Sequence, residues 1–401
     1  MFRPGQIVRD FRTKTIPRER TTFAVWFWEI DRLLLTLIIV LLAIGLVAVA
    51  AASPVAAIDR STAHVSVDPL TYFYRQLVWV VLGVPLMLLV SMLPKDVARR
   101  YAIVAALVFA FTLLLVPLLG TNVNGAKRWI DLSIMRFQPS EFLKPVYVVA
   151  VAWLLSLRVR DNKLPVISLT FAITALIAAL LMKQPDFGQT VIFCACWGAL
   201  LLLAGASLRL LAGVGGMAVG GLVAVYLFYD NGRQRINDFL GLNVRMDTGP
   251  DQTDLAHRTI TNGGFMGLGP GGGQAKFRLP EAHTDYIFSV IGEEFGLIAC
   301  IIVALLYLAI VVRVLYRLLD EEDNFTILAS AGLTIQFGLQ AIINMGVNAQ
   351  IFPSKGMTLP FISYGGSSML ALCIGVGLLL AFTRRNPFMG SKPRAVKWSG
   401  R

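Results

Sequence analysis

Four acids and a histidine crowd into PEAHTDYIFSVIGEEFG, residues 280–296: Glu281, His283, Asp285, Glu293 and Glu294. The run that follows, LIACIIVALLYLAIVV, is apolar enough to cross a bilayer, so these groups stand on the threshold of a membrane segment and just inside it. Asp285 falls where water still reaches but the dielectric is dropping. A carboxylate there is readily raised in pKa and can serve as a general base near neutrality. An N-cap or a salt-bridged acid is the structural alternative. On a helix, Glu281 would lie one turn before Asp285. Glu293 and Glu294 would lie about 12–14 Å further in, at 1.5 Å per residue. Acids at that depth are expensive and should find partners inside the bundle, so a structural polar network accounts for them best.

Three other stretches carry groups that suit an anionic ligand. NGAKRWIDLSIMRFQPSEFLK, residues 124–144, places Lys127, Arg128 and Arg136 around an apolar stretch and ends in Lys144. A guanidinium can grip a phosphate bidentately, whereas an ammonium acts as a point charge. As structure, the stretch is expected to form an interfacial re-entrant loop anchored by Trp129. A helix then starts near Gln138, with Ser140 as its N-cap and Glu141 in the first turn. KQPDFGQT, residues 183–190, is a tight turn. Its Asp186 is placed to cap the next helix or to pair with a cation, with Gln184 beside it. KGMTLPFISYGGSS, residues 355–368, carries Lys355 and then Pro360 at the opening of a last span. Ser363, Tyr364, Gly365, Gly366, Ser367 and Ser368 follow, small and polar enough either to pack helices closely or to form a wide mouth for a head group.

Several chemistries find no support. GLGPGG, residues 267–272, matches GxGxxG by letters, but no strand precedes it; it reads as a flexible glycine loop able to move over a site. No GxxxxGK[ST] occurs, so any reaction energy must arrive within the substrate. Cys194, Cys196, Cys300 and Cys373 lie in apolar runs without a CxxC pair and read as core residues. His64, His257 and His283 make no HExxH.

The elements that must position these residues are membrane helices. The chain of 401 residues is 56% hydrophobic and 15% charged, with a mean hydropathy of +0.69. Its apolar runs do not alternate, which argues against a β-barrel. An all-α polytopic membrane protein of about ten spans follows, near 33–53, 75–93, 101–119, 141–157, 164–182, 187–205, 208–229, 286–315, 325–348 and 361–383. A basic segment, 1–32, precedes the spans and a basic tail, 384–401, follows them. By the positive-inside rule both termini are cytoplasmic. The loops at about 120–141 and 230–285, the latter long and just before the eighth span, then face outward. Yet they hold Lys127, Arg128, Arg136, Arg233, Arg235, Arg245, Arg258, Lys276 and Arg278. Cations on the wrong side for topology suit an anionic ligand such as a phosphate or lipid head group. Pairing with Asp131, Asp238, Asp247, Asp251 and Asp254 is the alternative.

LPEAHTDYIFSVIGEEFG, FPSKGMTLPFISYGGSS, NGAKRWIDLSIMRFQPSEFLK and KQPDFGQT, in that membrane layout, closely resemble the SEDS family (shape, elongation, division and sporulation proteins), and its division branch more than its elongation branch. The resemblance covers nearly the whole chain. It implies a glycosyltransferase that polymerises lipid II into peptidoglycan at the outer face of the bacterial cytoplasmic membrane, at the division septum. It implies a class B penicillin-binding transpeptidase as partner among other divisome membrane proteins, and no nucleic acid. It puts the catalytic acid at Asp285 and substrate-binding cations at Lys127, Arg128 and Arg136. Glu281, His283, Lys355, Ser363, Tyr364, Gly365, Gly366 and Ser367 are further candidate substrate contacts, with Gln184, Asp186, Glu141, Lys144, Glu293 and Glu294 in support. No ligand set establishes a cofactor; a divalent cation, Mg or Mn, at the pyrophosphate is the one the chemistry leaves room for. Flipping of lipid II across the membrane and a purely scaffolding role are the alternatives.

Overall fold

The structure, a computed structural model, describes residues 22–60, 67–123, 126–131, 136–160, 164–229, 232–233, 236–237, 252–353 and 356–385. Lys355 and most of the segment 230–251 lie outside them. Two units are distinguished, 1–30 with 384–401, and 31–383. Within the first, a short helix α1 (Thr22–Glu29) is rich in aromatic residues, and Glu29 pairs with Arg384 at 3.8 Å.

The second unit is the membrane body. Its long helices are α2 (Arg32–Arg60), α3 (Thr71–Ser91), α4 (Lys95–Leu119), α5 (Pro139–Arg160), α6 (Val166–Lys183), α7 (Phe187–Leu203) and α8 (Leu208–Phe228). A shorter α9 (Gln252–Asn262) precedes α10 (Ile287–Leu318), α11 (Asn324–Asn348) and α12 (Gly366–Thr383). Among the described residues nine helices are long and apolar enough to cross a membrane, and α7 adds a shorter apolar helix of 17 residues. This is a multi-pass membrane protein, and the ten apolar segments fall on ten helices.

Helices α5, α11 and α12 are mostly buried and pack on one another, whereas α3 and α4 turn most of their surface outward. Small residues permit the closest approaches. A Cβ on Gly45 would stand 2.2 Å from the Phe361 carbonyl oxygen, and one on Gly377 2.8 Å from that of Met87. Helix α8 buries none of its residues.

Ion pairs show which helix ends share a side. The buried Asp31 takes Arg313 at 2.8 Å and Arg317 at 2.8 Å, and Arg317 also donates to the Thr383 carbonyl at 2.7 Å. Lys95 reaches Glu321 at 3.3 Å. The start of the first span and the end of the last therefore meet at one end of the bundle. Arg128, Asp186, Asp285 and Gly356 lie at the other.

Several expectations need correction. First, the described residues of the 121–137 stretch form not a re-entrant loop but a small antiparallel sheet of β1 (Thr121–Val123), β2 (Ala126–Asp131) and β3 (Arg136–Phe137) in that order. Helix α5 starts at Pro139, so Ser140 lies within the first turn rather than at the cap. Likewise α12 starts at Gly366, not Pro360; residues 360–365 form an irregular turn.

Second, α10 is two helices. Gly296 has φ 79° and ψ 178°, which breaks the ladder. The glycine loop repairs it. Leu268 and Gly269 donate to the carbonyls of Glu293 and Glu294 at 2.9 and 3.0 Å, and Leu297 and Ile298 donate to Gly264 and Phe265 at 3.0 and 3.3 Å. Backbone polar groups freed near a membrane must be satisfied by protein, and this loop does so. It is docked by those bonds rather than poised over a site.

Glu293 and Glu294 lie before that break, so it leaves their distance from the start of α10 unchanged. Residues 297–318 alone are long enough to cross a hydrocarbon core of about 30 Å. The two acids belong to the outer half-helix and are partnered by the outer loop. Glu293 accepts from Asn262 at 3.0 Å and from the backbone N–H of Ala275 and Lys276 at 2.8 and 2.9 Å. Glu294 pairs with the buried Lys276, which also donates to the Ala51 carbonyl at 3.0 Å. Lys276 is thereby withdrawn from any ligand. Lys276→Met is expected to destabilise by about 3–5 kcal/mol, because it strands a buried carboxylate. A fall in Tm that the added Glu294→Gln partly restores is the result to look for.

Candidate functional site

Two arms converge on the outer rim. The first carries Asp285, in the turn just before α10, and its position is fixed through the backbone. The carbonyl of His283 accepts from the Tyr364 N–H at 2.9 Å, and that of Thr284 from Ser363 Oγ at 2.5 Å. The carbonyl of Asp285 accepts from Asn344 Nδ2 at 2.8 Å and Asn348 Nδ2 at 3.1 Å. Asp285 itself is half-buried, and among the described residues its carboxylate accepts no hydrogen bond. It is left facing the site.

The second arm carries Arg128. Strand β2 delivers it to the turn between α6 and α7, where Nε donates to the Gln184 carbonyl at 3.2 Å and Nη2 donates to that of Pro185. Asp186, buried below it, lies 4.0 Å from Nε and caps α7 by accepting from Gln189 N–H at 3.4 Å. Capping and pairing, the two roles open to Asp186 in the sequence, are thus both filled.

Gly356 shows how the arms meet. A Cβ built on it would stand 3.3 Å from Asp285 Oδ2 and 3.9 Å from Arg128 Nη1. Carboxylate and guanidinium therefore border one small space, and a residue without a side chain keeps it open.

A buried polar chain joins the arms from beneath. Gln189 donates to Glu141 Oε1 at 2.6 Å, and Glu141 pairs with Lys144 at 2.9 Å. Lys144 donates to Gln340 Oε1 at 3.0 Å, and Gln340 Nε2 donates to the Thr358 carbonyl at 3.0 Å. Asn344 Nδ2 also holds the Met357 carbonyl, at 2.6 Å. Buried charges are tolerated here because each has a counter-ion and amide partners.

Burial raises both acids of the rim. Burial pushes the Asp285 carboxyl up to about 7; Glu281 adds to the rise, Arg128 opposes it, and Asp186 and Glu141 contribute smaller increases. Burial also raises Asp186, with Arg128 and the Gln189 N–H opposing. Asp285 is thus poised to exchange a proton near neutrality.

The remaining candidates divide by position. Glu281 is exposed and accepts from Thr284 Oγ1 at 2.8 Å. Lys127 and Arg136 are exposed on β2 and β3, Lys127 on the strand face opposite Arg128. His283 is buried, its ring 4.7 Å from Tyr72 and 5.5 Å from Tyr364. Ser363 spends its hydroxyl on the Thr284 carbonyl and the Leu359 N–H. Gln76 holds the 363–365 turn through Ser363 O and Gly365 N, both at 3.3 Å. A Cβ on Gly365 would meet Ser368 Oγ at 2.4 Å, and one on Gly366 the Trp79 ring at 2.5 Å, so both glycines serve close packing. Ser367 is buried. Among the described residues no group of three or more His, Cys, Asp or Glu is placed to hold a metal ion.

Asn344, Asn348, Gln340, Gln189 and Gly356 were not singled out from the sequence. A signal was present for three of them. Gln336, Gln340, Asn344 and Asn348 recur every four residues, which lines amides along one face of an otherwise apolar helix.

Known proteins agree with this architecture. The family model of cell cycle proteins covering FtsW, RodA and SpoVE matches residues 31–387. A protein of Caulobacter vibrioides named probable peptidoglycan glycosyltransferase FtsW is 38% identical over 92% of this chain and 93% of its own. A protein of the same name from Coxiella burnetii is 34% identical over 88% and 96%. Among solved structures, a chain described in the structural coordination of polymerization and crosslinking by a peptidoglycan synthase complex superposes with a TM-score of 0.70. It is 27% identical, and the match covers 88% of this chain and 97% of that one. The rod shape determining protein RodA of Thermus thermophilus gives a TM-score of 0.64 at 26% identity, over 89% and 98%. The chain belongs to the FtsW/RodA/SpoVE family of cell cycle proteins.

Proposed function

We propose that the protein is a peptidoglycan glycosyltransferase of cell division that polymerises lipid II at the outer face of the bacterial cytoplasmic membrane, at the septum. The observation that carries this is Asp285 and Arg128 bordering one space around Gly356, a base and a cation within reach of one reacting group. Lipid II brings its own activated bond, a sugar on a polyprenyl pyrophosphate, which fits the absence of a P-loop from the sequence. Asp285 takes the proton from the acceptor sugar hydroxyl as that oxygen bonds to the donor's anomeric carbon. The bond from that carbon to the pyrophosphate breaks, and the leaving group carries its electron pair toward Arg128. The proton on Asp285 then passes to water. Lys127 and Arg136 extend the basic surface for the pyrophosphate, and Glu281 borders the acceptor side. A Mg or Mn ion at the pyrophosphate would supply further charge neutralisation.

The partner we assign is an FtsI-like class B penicillin-binding transpeptidase among the divisome membrane proteins. The likeness to a chain of a peptidoglycan synthase complex supports a partner of that kind.

Transport of lipid II is the rival, since a polar chain does run inward from Asp186. It leads to a cavity of about 20 Å³ lined by Glu141, Lys144 and Gln336, room for a single water and not for a head group. The test is to supply labelled lipid II to the purified protein with its transpeptidase in vesicles. Glycan strands support the enzyme; lipid II moved between leaflets without polymer supports the transporter.

A further inference from the structure

Helix α10 begins without a cap of its own. Its N-cap residue, Tyr286, makes no side-chain capping bond, although the first N–H groups of any helix lack intrahelical partners. The cap comes from another helix. Asn348 Oδ1 accepts from Ser289 Oγ at 2.7 Å and, at 3.1 Å, from the Ser289 N–H, which it shares with the Tyr286 carbonyl at 3.0 Å. The same side chain turns its Nδ2 to the Asp285 carbonyl at 3.1 Å, and Asn344, one turn earlier on α11, adds its own Nδ2 at 2.8 Å. One amide thus grips the chain on both sides of the helix start, and a second reinforces it. Both asparagines are buried, Asn348 completely and Asn344 to within 3%. Neither is spent on α11 itself alone: Asn344 also holds Met357, next to the Gly356 that separates Asp285 from Arg128.

We propose that Asn344 and Asn348 are positioning residues for the reaction, an amide clamp that caps α10 in trans and thereby fixes the direction of the Asp285 side chain toward Arg128. The inference rests on Asp285 as the base. With the carbonyls of His283, Thr284 and Asp285 all held, the Cα–Cβ bond of Asp285 has one direction, and only two side-chain torsions remain. An asparagine suits the role because it offers donor and acceptor on one short, planar group. The four-residue spacing stacks the two amides on one face of α11, so both reach the same turn. A displacement of about 1 Å at a base costs on the order of 10²-fold in rate.

The test compares Asn344→Ala, Asn348→Ala and the double variant in the purified complex with its transpeptidase, polymerising labelled lipid II. Each single variant leaves one donor on the Asp285 carbonyl and should lower kcat about 10-fold; the double variant should lose about 10²-fold, with KM for lipid II nearly unchanged. Tm and co-purification of the partner are measured alongside, and the single variants carry the test if the double variant does not fold. In an Asp285→Asn background the same substitutions should add nothing. The proposal is overturned if kcat is unchanged in folded variants, if KM rises while kcat holds, or if the losses track Tm alone. Should Asp285→Asn itself stay active, it is the base assignment that fails; should that variant be inactive while the asparagine variants match wild type, only the clamp fails.

Discussion

Asp285→Asn should lower the polymerisation rate by about 10²- to 10⁴-fold, the range a general base contributes. The substitution is isosteric and removes only the capacity to accept a proton. Asp285 owes its position to its backbone carbonyl and those of the two residues before it, and none of these changes. The variant should therefore fold, bind its transpeptidase and retain a KM for lipid II near that of wild type. Loss of kcat at constant KM separates lost proton transfer from lost binding. A scaffold in which the carboxylate does no chemistry would show no loss.

Arg128→Ala should cost about 10²- to 10³-fold, as expected for one preorganised group facing a developing negative charge. Lysine should not restore it. Nε and Nη2 are held by the Gln184 and Pro185 carbonyls while Nη1 faces the Gly356 space, and an ammonium cannot make those contacts at once. A second effect tests the geometry independently. Arg128 opposes the rise in the Asp285 pKa, so its removal should raise that pKa further. Residual activity in Arg128→Ala should then need a higher pH than wild type to reach its plateau.

Much of this was legible in the residues. Apolar runs mark membrane helices because hydrophobic length is what a bilayer demands, and the spans predicted near 187–205 and 325–348 match Phe187–Leu203 and Asn324–Asn348 within two residues. Asp186 announced its cap by standing directly before an apolar run. What stayed hidden depends on contacts distant in sequence. The break at Gly296 is stable only because the loop at 264–269 satisfies it, and a lone glycine gives no notice of that. The small sheet pairs a six-residue strand with strands of only three and two residues, and those two are too short to show a period. Ser363 and His283 read as open, polar candidates, yet their hydroxyl and ring are turned into the fold. Asn344 and Asn348 were visible as spacing, but a polar face on a membrane helix does not say which turn it will hold.

The most direct measurement is the pH dependence of kcat/KM for labelled lipid II by the wild-type complex. A base must be deprotonated to act, so a carboxyl raised to about 7 should leave the enzyme progressively inactive below that pH. We expect kcat/KM to rise about tenfold per pH unit up to near 7 and then to level off, with Asp285→Asn removing the dependence. A wild-type rate that stays flat from about pH 5 to 8, or an Asp285→Asn variant that keeps the wild-type profile, would contradict the assignment of Asp285 as the base.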